Sequence, residues 1–307
     1  MKTEKQIRER IKKLDKLGRR KFNPKNDKMS NSVFLQKEEV GNHVLYQGDA
    51  IKILKSLPNK SIDLIFIDSP YNIGKNFNGY IEKWETDEKY LNWCYEWIDL
   101  CIKKLKDDGS IYLMGATQFI PYFDLFLRKR LHILSRIVWH YDSSGVQAKK
   151  YFGSLWEPIL FAVKNKKKYI FNSEDILVEA RTGSKRKLID YRKKIPTVYN
   201  SKKVPGNVWY FPRVRFRMEE YQEHPSQKPE VLLNRIIKAS SKEGDMILDP
   251  FSGTFTTSAV AMKLNRKSIG IELDKDYFNN GLRRLKKIHK SIKESKSQLN
   301  LVAYNDN

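Results

Sequence analysis

Residues 43–72 read HVLYQGDAIKILKSLPNKSIDLIFIDSPYN, and the order of elements they predict indicates the class of fold. Residues 43–46 predict a strand, a short helix follows as far as Leu57, and the apolar run over residues 62–67 predicts a second, buried strand. Pro58 and the residue after it mark a turn between helix and strand. A strand, a helix and a strand at this spacing form a βαβ unit. Its two strands are parallel, because the helix carries the chain back to the same end of the sheet.

The same alternation continues along most of the chain. Residues 86–105 place apolar side chains at helical spacing, and the run Asp107, Asp108 and Gly109 ends this helix before a strand over residues 110–114. The further predicted elements are a helix over 118–130, strands over 133–139 and 156–163, a helix over 231–240, a strand over 246–248, a helix over 255–264 and a strand over 268–271. This order predicts an α/β domain with a Rossmann-like, mostly parallel sheet.

A polar, basic and turn-rich segment, residues 172–223, interrupts the alternation, and we interpret it as an insert. The body then comprises residues 33–171 and 224–282, with a basic extension over residues 1–32 and a basic helix and tail over residues 283–307. The net charge of +23 is concentrated: 12 basic and 4 acidic residues in 1–28, 12 and 1 in 181–217, and 7 and 1 in 282–296. Aromatic residues stand among the basic ones of the insert. This composition predicts nucleic acid as the partner, although solubility alone would also explain the charged ends.

Several classes of protein are excluded. The mean hydropathy is −0.63 and no uninterrupted apolar run approaches the roughly 18 residues of a membrane span. The charged N-terminus predicts no secretory signal. On one helix Cys94 and Cys101 would lie roughly 10 Å apart, too far for a disulfide, which favours reduced thiols and a cytoplasmic protein. We expect no metal, because the sequence has no CxxC, HExxH or His/Cys cluster.

Three short stretches follow the carboxyl ends of predicted strands, where open α/β sheets bind ligands. They are residues 68–72 (DSPYN), residues 249–254 (DPFSGT) and Glu272. Taken alone, each has an ordinary explanation as a turn, a tight connection or a helix cap. A glycine turn that opens a helix, followed about twenty residues later by an acid after the next strand, is however the general plan of an adenosine-cofactor site. The GxGxxG fingerprint is missing, which disfavours NAD.

The motifs resemble those of the β-class S-adenosylmethionine-dependent DNA amino-methyltransferases. D-S-P-Y at residues 68–71 is similar to their D-P-P-Y motif, DPFSGTFTT at 249–257 to their F-x-G-x-G cofactor motif, and HPSQKP at 224–229 to their H-P-T-Q-K-P box. The order, with the catalytic motif first and the cofactor motif last, matches the β class. The stretches that sharpen the resemblance to YhdJ-type adenine methyltransferases are SRIVWHYDSSGVQAKK (135–150), ILVEARTGSKRKLIDYRK (176–193) and VPGNVWYFPRVR (204–215). The resemblance spans about residues 43–285.

This resemblance implies a methyltransferase fold and a catalytic motif of Asp68, Ser69, Pro70 and Tyr71. The exocyclic amine of adenine is a poor nucleophile, because its lone pair is delocalised into the ring. The carboxylate of Asp68 and the main-chain carbonyl of Ser69 are expected to accept the two amine hydrogens and so localise that pair. Tyr71 is expected to stack on the base after it flips out of the duplex.

The cofactor implied is S-adenosyl-L-methionine. At the methionine end of the cofactor we expect Asp249, Phe251 and Gly253, with Thr254, Thr256 and Thr257 around the start of the following helix. Glu272 is expected to contact the ribose and Asp49 the adenine. His224 and Lys228 are expected to make a contact on the cofactor side. For Asp49 a plain helix cap stays open. Ser69 in place of the usual proline is expected to be tolerated, since any residue supplies the carbonyl. Phe255 stands where the general motif has its second glycine.

The insert implies a double-stranded DNA partner and a target-recognition function. Its candidate DNA-binding residues are Arg181, Lys185, Arg186, Arg192, Arg213 and Arg215. Asp68 favours adenine-N6 as the target, and the resemblance implies an ATGCAT-like palindrome and location at the nucleoid through DNA. The open alternatives are a cytosine-N4 or RNA methyltransferase, and a catalytically silent nucleic-acid-binding protein. A homodimer and a cognate restriction endonuclease in the same system also stay open, as does a solitary enzyme.

Overall fold

A computed structural model describes residues 33–78, 80–142, 149–180 and 187–305, and their core is one twisted sheet covered by helices. Its strands are β1 (Gln36–Val40), β2 (His43–Gln47), β3 (Ile62–Asp68), β6 (Leu105–Met114), β7 (His132–His140), β8 (Trp156–Val163), β13 (Val208–Tyr210), β14 (Met246–Asp249) and β15 (Lys267–Glu272). They lie side by side in the order β1-β2-β15-β14-β3-β6-β8-β7-β13. Short two-stranded ladders join β4 (Asn76–Phe77) to β5 (Tyr80–Ile81), β10 (Ile189–Asp190) to β11 (Thr197–Val198), and β12 (Lys202–Lys203) to β9 (Val178–Glu179).

The sheet is mixed, with a parallel centre, antiparallel pairs on either side of it and one further parallel pair, β7 with β13, at an edge. Neighbouring strands from β2 through β15, β14 and β3 to β6 all run in the same direction. Strand β8 runs antiparallel to both β6 and β7, and β1 forms an antiparallel hairpin with β2. The predicted mostly parallel α/β sheet is therefore confirmed. The edge strand β1 was not predicted, because its sequence QKEEV is too polar to resemble a core strand.

Helices cover both faces of the sheet. They are α1 (Ala50–Ser56), α2 (Asp87–Lys104), α3 (Ile120–Arg128), α4 (Glu230–Ser240), α5 (Thr256–Lys263) and α6 (Lys275–Asn305), with a 3-10 turn over Glu174–Ile176. Successive residues of β3 point to opposite faces: Ile65 packs with α1, α2 and α3, whereas Leu64 and Phe66 pack with α4 and α5. This alternation, buried on both sides, explains the uninterrupted apolar run of this strand.

Two predicted boundaries differ in the structure. Helix α2 ends at Lys104 and β6 begins at Leu105, so the run Asp107 to Gly109 lies within a strand and does not end the helix. Strand β6 pairs with β3 at Leu105 and again from Ser110, and the polar run lies in an irregularity of the register between these two points, which depends on tertiary pairing. Helix α6 runs without a break across residues 282 and 283, and Leu282 and Leu285 are both buried in one core cluster.

Part of the basic insert belongs to the main sheet. Strand β13 pairs in parallel with β7, which places Trp209 beside Trp139. Both indoles are buried, and the Trp139 Nε1–H donates to the carbonyl of Phe211 at 2.9 Å. Aromatic residues of the insert therefore serve the core as well as the surface.

Other predictions concern chain chemistry. Cys94 and Cys101 are free, buried thiols on α2, and burial raises the pKa of each well above its usual range. In the described ranges no helix has the length and apolar character that a membrane crossing requires. The same residues contain no group of three or more His, Cys, Asp or Glu side chains arranged to hold a metal ion.

Candidate active site

The carboxyl ends of β2, β3, β14 and β15 meet at one cleft of about 1390 Å³. Asp49 follows β2, Asp68 ends β3, Gly253 follows β14 and Glu272 ends β15, and all four line this cleft. Because parallel strands present their carboxyl ends at the same edge, residues far apart in sequence converge here. The structure thus brings the predicted catalytic and cofactor stretches together in one site.

Asp68 is the centre of a largely buried charged cluster. Its Oδ1 accepts a hydrogen bond from the Tyr71 hydroxyl at 2.8 Å, and its Oδ2 accepts one from Lys228 Nζ at 2.6 Å. Glu157 Oε2 completes the cluster, at 2.9 Å from the Tyr71 hydroxyl and 3.5 Å from Lys228 Nζ. Two carboxylates therefore share one ammonium and one phenol inside the protein.

The turn after Asp68 is held from outside the motif. Glu82 accepts the backbone N–H of Tyr71 at 2.8 Å, and the Tyr90 hydroxyl donates to the carbonyl of Pro70 at 2.7 Å. Ser69 is buried, with only 2% of its surface exposed. These bonds fix the backbone of the D-S-P-Y turn although a serine replaces its usual first proline.

Electrostatics keep the cluster in a defined protonation state. Burial lowers the pKa of the Lys228 ammonium, but the carboxylates of Asp68 and Glu157 outweigh burial and raise it. Burial raises the pKa of Asp68, and the Lys228 ammonium opposes that rise. Burial and the two neighbouring carboxylates also raise the pKa of Tyr71 well above its usual range. Lys228 is therefore a cation and Tyr71 a neutral hydrogen-bond donor at neutral pH.

Glu272 anchors the cofactor half of the cleft. Its Oε2 accepts the N–H of Gly253 at 2.7 Å, and its Oε1 accepts the N–H of Asp274 at 2.8 Å. Burial raises the pKa of this carboxyl to about 8. Gly253 has a φ of +52°, and a Cβ there would lie 3.0 Å from Nε2 of His224. A glycine at this position therefore satisfies both the backbone conformation and the close approach of the imidazole.

Asp249 and the threonines mainly stabilise the turn that follows β14. The Thr257 hydroxyl donates to Asp249 Oδ2 at 2.5 Å, and the N–H of Phe251 donates to Oδ1 at 3.1 Å. Burial raises the pKa of Asp249 to about 7. Thr256 accepts a hydrogen bond from Arg284 of α6 at 3.0 Å, and the Thr254 hydroxyl is buried without a partner among the described residues.

Asp49 has the cap geometry that the sequence left open. Its Oδ1 accepts the N–H of Lys52 at 2.9 Å, so it is the N-cap of α1. The same residue lines the cleft. A capping bond to one oxygen leaves the other available for a ligand.

The candidate DNA-binding residues differ in their surroundings. Arg213 lines the cleft, with its guanidinium 5.2 Å from the centroid of the Tyr141 ring. Arg215 forms an ion pair with Asp142 at 2.9 Å, and Arg192 is paired through two nitrogens with Asp190. Arg181, Lys185 and Arg186 lie outside the described residues.

The chain is similar in sequence to proteins of a known family. The model of the DNA methylase family matches residues 62–283. The chain belongs to this family. The DNA adenine methyltransferase YhdJ of Escherichia coli (strain K12) is 58% identical over 241 residues, which cover 78% of this chain and 82% of that protein. The type II methyltransferase M.HpaI of Haemophilus parainfluenzae is 36% identical over 239 residues, covering 77% and 72%.

Solved structures agree with this membership. The complex of M1.HpyAVI with SAM has a TM-score of 0.52 and 25% identity to the methylase, covering 78% of this chain and 98% of the other. The cytosine-N4-specific PvuII DNA methyltransferase has a TM-score of 0.59 over 84% and 96% of the two chains. At 18% identity, that second likeness shows the fold alone. The resemblance drawn from the three motifs, and the methyltransferase fold it implied, are confirmed.

The motifs did not reveal every residue of the methylase cleft. Glu157 was assigned only to an apolar strand, WEPILFAV, yet its carboxylate reaches Tyr71 and Lys228. An acid at the head of a buried strand was the available signal, because a charge in such a position needs a partner. Lys228 was expected beside the cofactor, and the structure places its ammonium on Asp68.

Proposed function

We propose that this methylase is a site-specific DNA methyltransferase that transfers the methyl group of S-adenosyl-L-methionine to the N6 amine of a flipped-out adenine in double-stranded DNA. The observation that carries the proposal is that Asp68 and Glu272 line the same cleft. An acceptor for the amine and an acceptor for the ribose are therefore within reach of one bound pair of reactants. The 58% identity to a DNA adenine methyltransferase supports adenine as the base.

The residues of the cleft suit this cofactor. Glu272 has both oxygens oriented by backbone N–H groups, and its carboxylate is an acceptor suited to ribose hydroxyls. Asp49 lies at the same edge, and Phe251 and Trp93 supply apolar faces. A sulfonium cation is also attracted by the carboxylates of Asp68 and Glu157. When bound, the cofactor supplies an electrophilic methyl group.

The catalytic turn acts on the amine of the target base. Asp68 accepts one amine hydrogen and the carbonyl of Ser69 accepts the other, which directs the nitrogen lone pair toward the methyl group. The positive charge that develops on the nitrogen is stabilised by the carboxylate of Asp68. Tyr71 offers a ring face for stacking, and its hydroxyl fixes the ring between two carboxylates.

The basic segments are proposed to hold the DNA. Arg213, which lines the cleft, and Arg215, which forms an ion pair with Asp142, are proposed to contact the duplex around the target base. The insert over residues 172–223 is proposed as the target-recognition segment, reading an ATGCAT-like palindrome. The extensions over residues 1–32 and 283–307 are proposed to contact phosphates. Location at the nucleoid, a homodimer, and either a cognate endonuclease or a solitary enzyme are the remaining parts of this proposal.

The test is incubation of the purified protein with labelled S-adenosylmethionine and unmethylated genomic DNA, followed by nucleoside analysis and modification-sensitive sequencing. N6-methyladenine within one short motif is the expected result. N4-methylcytosine, or label in RNA alone, would replace the proposed substrate, and no transfer would favour a silent DNA-binding protein. Asp68→Asn should abolish transfer while DNA binding changes less than about tenfold. Asp107→Asn, at an exposed ion pair with Lys60, is the matched control.

A further inference from the structure

Glu157 stands in the catalytic cluster although it lies outside the three motifs at residues 68–71, 224–229 and 249–257. It is the second residue of β8, and its side chain is 18% exposed. Its Oε2 lies 2.9 Å from the Tyr71 hydroxyl and 3.5 Å from Lys228 Nζ. A largely buried carboxylate so close to another is costly unless the pair has a use, because the two negative charges repel.

The hydrogen-bond donors of the cluster are too few for its acceptors. The Tyr71 hydroxyl has a single hydrogen, yet it lies within bonding distance of Asp68 Oδ1 at 2.8 Å and of Glu157 Oε2 at 2.9 Å. It can donate fully to only one of them at a time. The hydroxyl hydrogen of Tyr71 therefore has two alternative directions, one toward each carboxylate.

The choice between these positions matters for Asp68. Its Oδ2 already accepts from the Lys228 ammonium at 2.6 Å. If Tyr71 also donates to Oδ1, both oxygens carry a donor and the carboxylate is a weaker acceptor for any further group. If Tyr71 donates to Glu157, Oδ1 keeps its full charge for an incoming amine hydrogen.

We propose that Glu157 is a positioning residue for methyl transfer, which draws the Tyr71 hydroxyl hydrogen away from Asp68 and so leaves Oδ1 free to accept a hydrogen of the target amine. This inference rests on the proposed methyl transfer to an exocyclic amine. Glu157 lines the cleft, and this role requires no contact between its carboxylate and the base or the cofactor. It acts through Tyr71 and, more weakly, through its attraction for Lys228.

The test is a double-mutant cycle of Glu157→Gln and Tyr71→Phe, measured as the single-turnover rate of DNA methylation at saturating cofactor and DNA. In the wild-type background, Glu157→Gln should lower the rate about tenfold. The difference between this effect and the effect in the Tyr71→Phe background is the coupling between the two residues. In the Tyr71→Phe background, where no hydroxyl competes for Asp68, the same substitution should cost less than about threefold. Neither the affinity for the cofactor nor the melting temperature should fall in parallel with the rate.

A second readout is the pH dependence of the single-turnover rate. The groups that face Asp68 are Lys228, Tyr71 and Glu157, with Lys75, Glu82 and Asp249 further away. The charge of Glu157 raises the pKa of Asp68. Removing it in Glu157→Gln should therefore move the acidic limb of the profile to lower pH, which a merely structural residue would not do.

The control is Glu243→Gln, an exposed glutamate in the turn before β14, which should leave the rate and the profile unchanged. Equal losses of rate from Glu157→Gln in both backgrounds, together with an unmoved acidic limb, would overturn the inference. The proposed function would still stand in that case, because the wild-type protein would be active. An inactive wild-type protein would overturn both.

Discussion

The ring of Phe255 occupies the space that a side chain at Gly281 would need. A Cβ on Gly281 of α6 would lie closer than 3.0 Å to Phe255, and one on Gly270 of β15 would lie 2.5 Å from Phe255 Cδ1. Phe255 itself has a φ of +57°, a conformation that favours glycine, and is fully buried. A phenylalanine thus replaces the second glycine of the motif because two glycines elsewhere make room for its ring.

Substitution of Gly281 by alanine should destabilise the protein. In an open helix this change would stabilise by up to about 1 kcal/mol, because alanine is the better helix former. Here overpacking against Phe255 should reverse the sign and cost about 1–3 kcal/mol of the free energy of unfolding. Denaturant unfolding of the whole chain measures the difference.

The matched control is Gly206→Ala, because a Cβ at Gly206 meets no atom within 4 Å. It should change the free energy of unfolding by less than about 0.5 kcal/mol. Shrinking the ring in Phe255→Leu/Gly281→Ala should recover part of the loss. Gly281→Ala as stable as the wild type would contradict the packing argument.

The stability of the ligand-free protein should fall between about pH 6.5 and 8.5. Burial raises the pKa of Asp249 to about 7 and that of Glu272 to about 8, so the folded state binds protons that the unfolded chain has already released. Such stabilisation is complete below the unfolded pKa values and is lost as pH rises through the folded ones. Each group contributes at most about 1.4 kcal/mol per pH unit. Thermal unfolding across the pH series measures the slope.

Two histidines act in the opposite direction at lower pH. Burial lowers the pKa of His43 to about 4 and that of His224 to about 3. As pH falls below about 6.5, the unfolded chain takes up protons on these histidines that the folded protein does not, so the protein becomes less stable. The fall in stability between about pH 6.5 and 8.5 lies above the pH range in which these histidines act. Asp249→Asn/Glu272→Gln should flatten the slope, and an unchanged slope in that variant would assign it to other groups.

Replacing Lys228 by methionine should shift the acidic limb of the methylation profile to higher pH. Its ammonium lies 2.6 Å from Asp68 and 3.5 Å from Glu157, and it holds the pKa of Asp68 down. Without it, the limb should rise by about 1 unit or more. The rate measured against pH at saturating cofactor checks this.

A charge-balanced double variant is the sharpest control for Lys228. Lys228→Met/Glu157→Gln removes one positive and one negative charge, so the acidic limb should return part of the way toward its wild-type position. If the acidic limb of the double variant stays at the pH found for Lys228→Met, charge is not the cause of the shift.

Arg213 should contribute to DNA binding more than Arg192 does. Arg213 lines the cleft, whereas the guanidinium of Arg192 is held by both oxygens of Asp190. Arg213→Ala should weaken binding and reduce the slope of log K against log salt by about one unit, if it contacts a phosphate. Arg192→Ala should leave that slope nearly unchanged. Equal effects of the two variants would sink this distinction.

The basic residues 1–28 offer a further test through the same measurement. They carry 12 basic and 4 acidic residues, and deleting them should make the salt slope shallower by several units if they contact phosphates. A truncated protein with the wild-type slope would assign this segment to solubility.

The sequence predicted the elements whose burial follows a simple rule. Strand β3 and helix α2 were predicted almost to the residue, because an apolar run bounded by turns and a helical apolar face are local signals. Strands β1 and β13 were missed. The first is polar, the second lies in a basic insert, and both are extended because of the strands they pair with.

The site was predictable to the same extent. Asp68, Tyr71 and Glu272 stand in stretches whose spacing alone indicated a ligand edge. No local signal indicated that Lys228, 160 residues from Asp68, reaches its carboxylate, or that Glu157 shares the Tyr71 hydroxyl. These contacts depend on how β3, β8 and the loop before α4 lie beside one another.

The sequence by itself determined the alternation of strands and helices, the three motifs and the family to which the chain belongs. These are written in the periodicity and identity of neighbouring residues. That two largely buried carboxylates share Lys228 and Tyr71, and that Gly270 and Gly281 make room for Phe255, follows from the tertiary structure alone. The reason is physical: burial, proton sharing and steric fit depend on distances through space, which the order of residues along the chain does not specify.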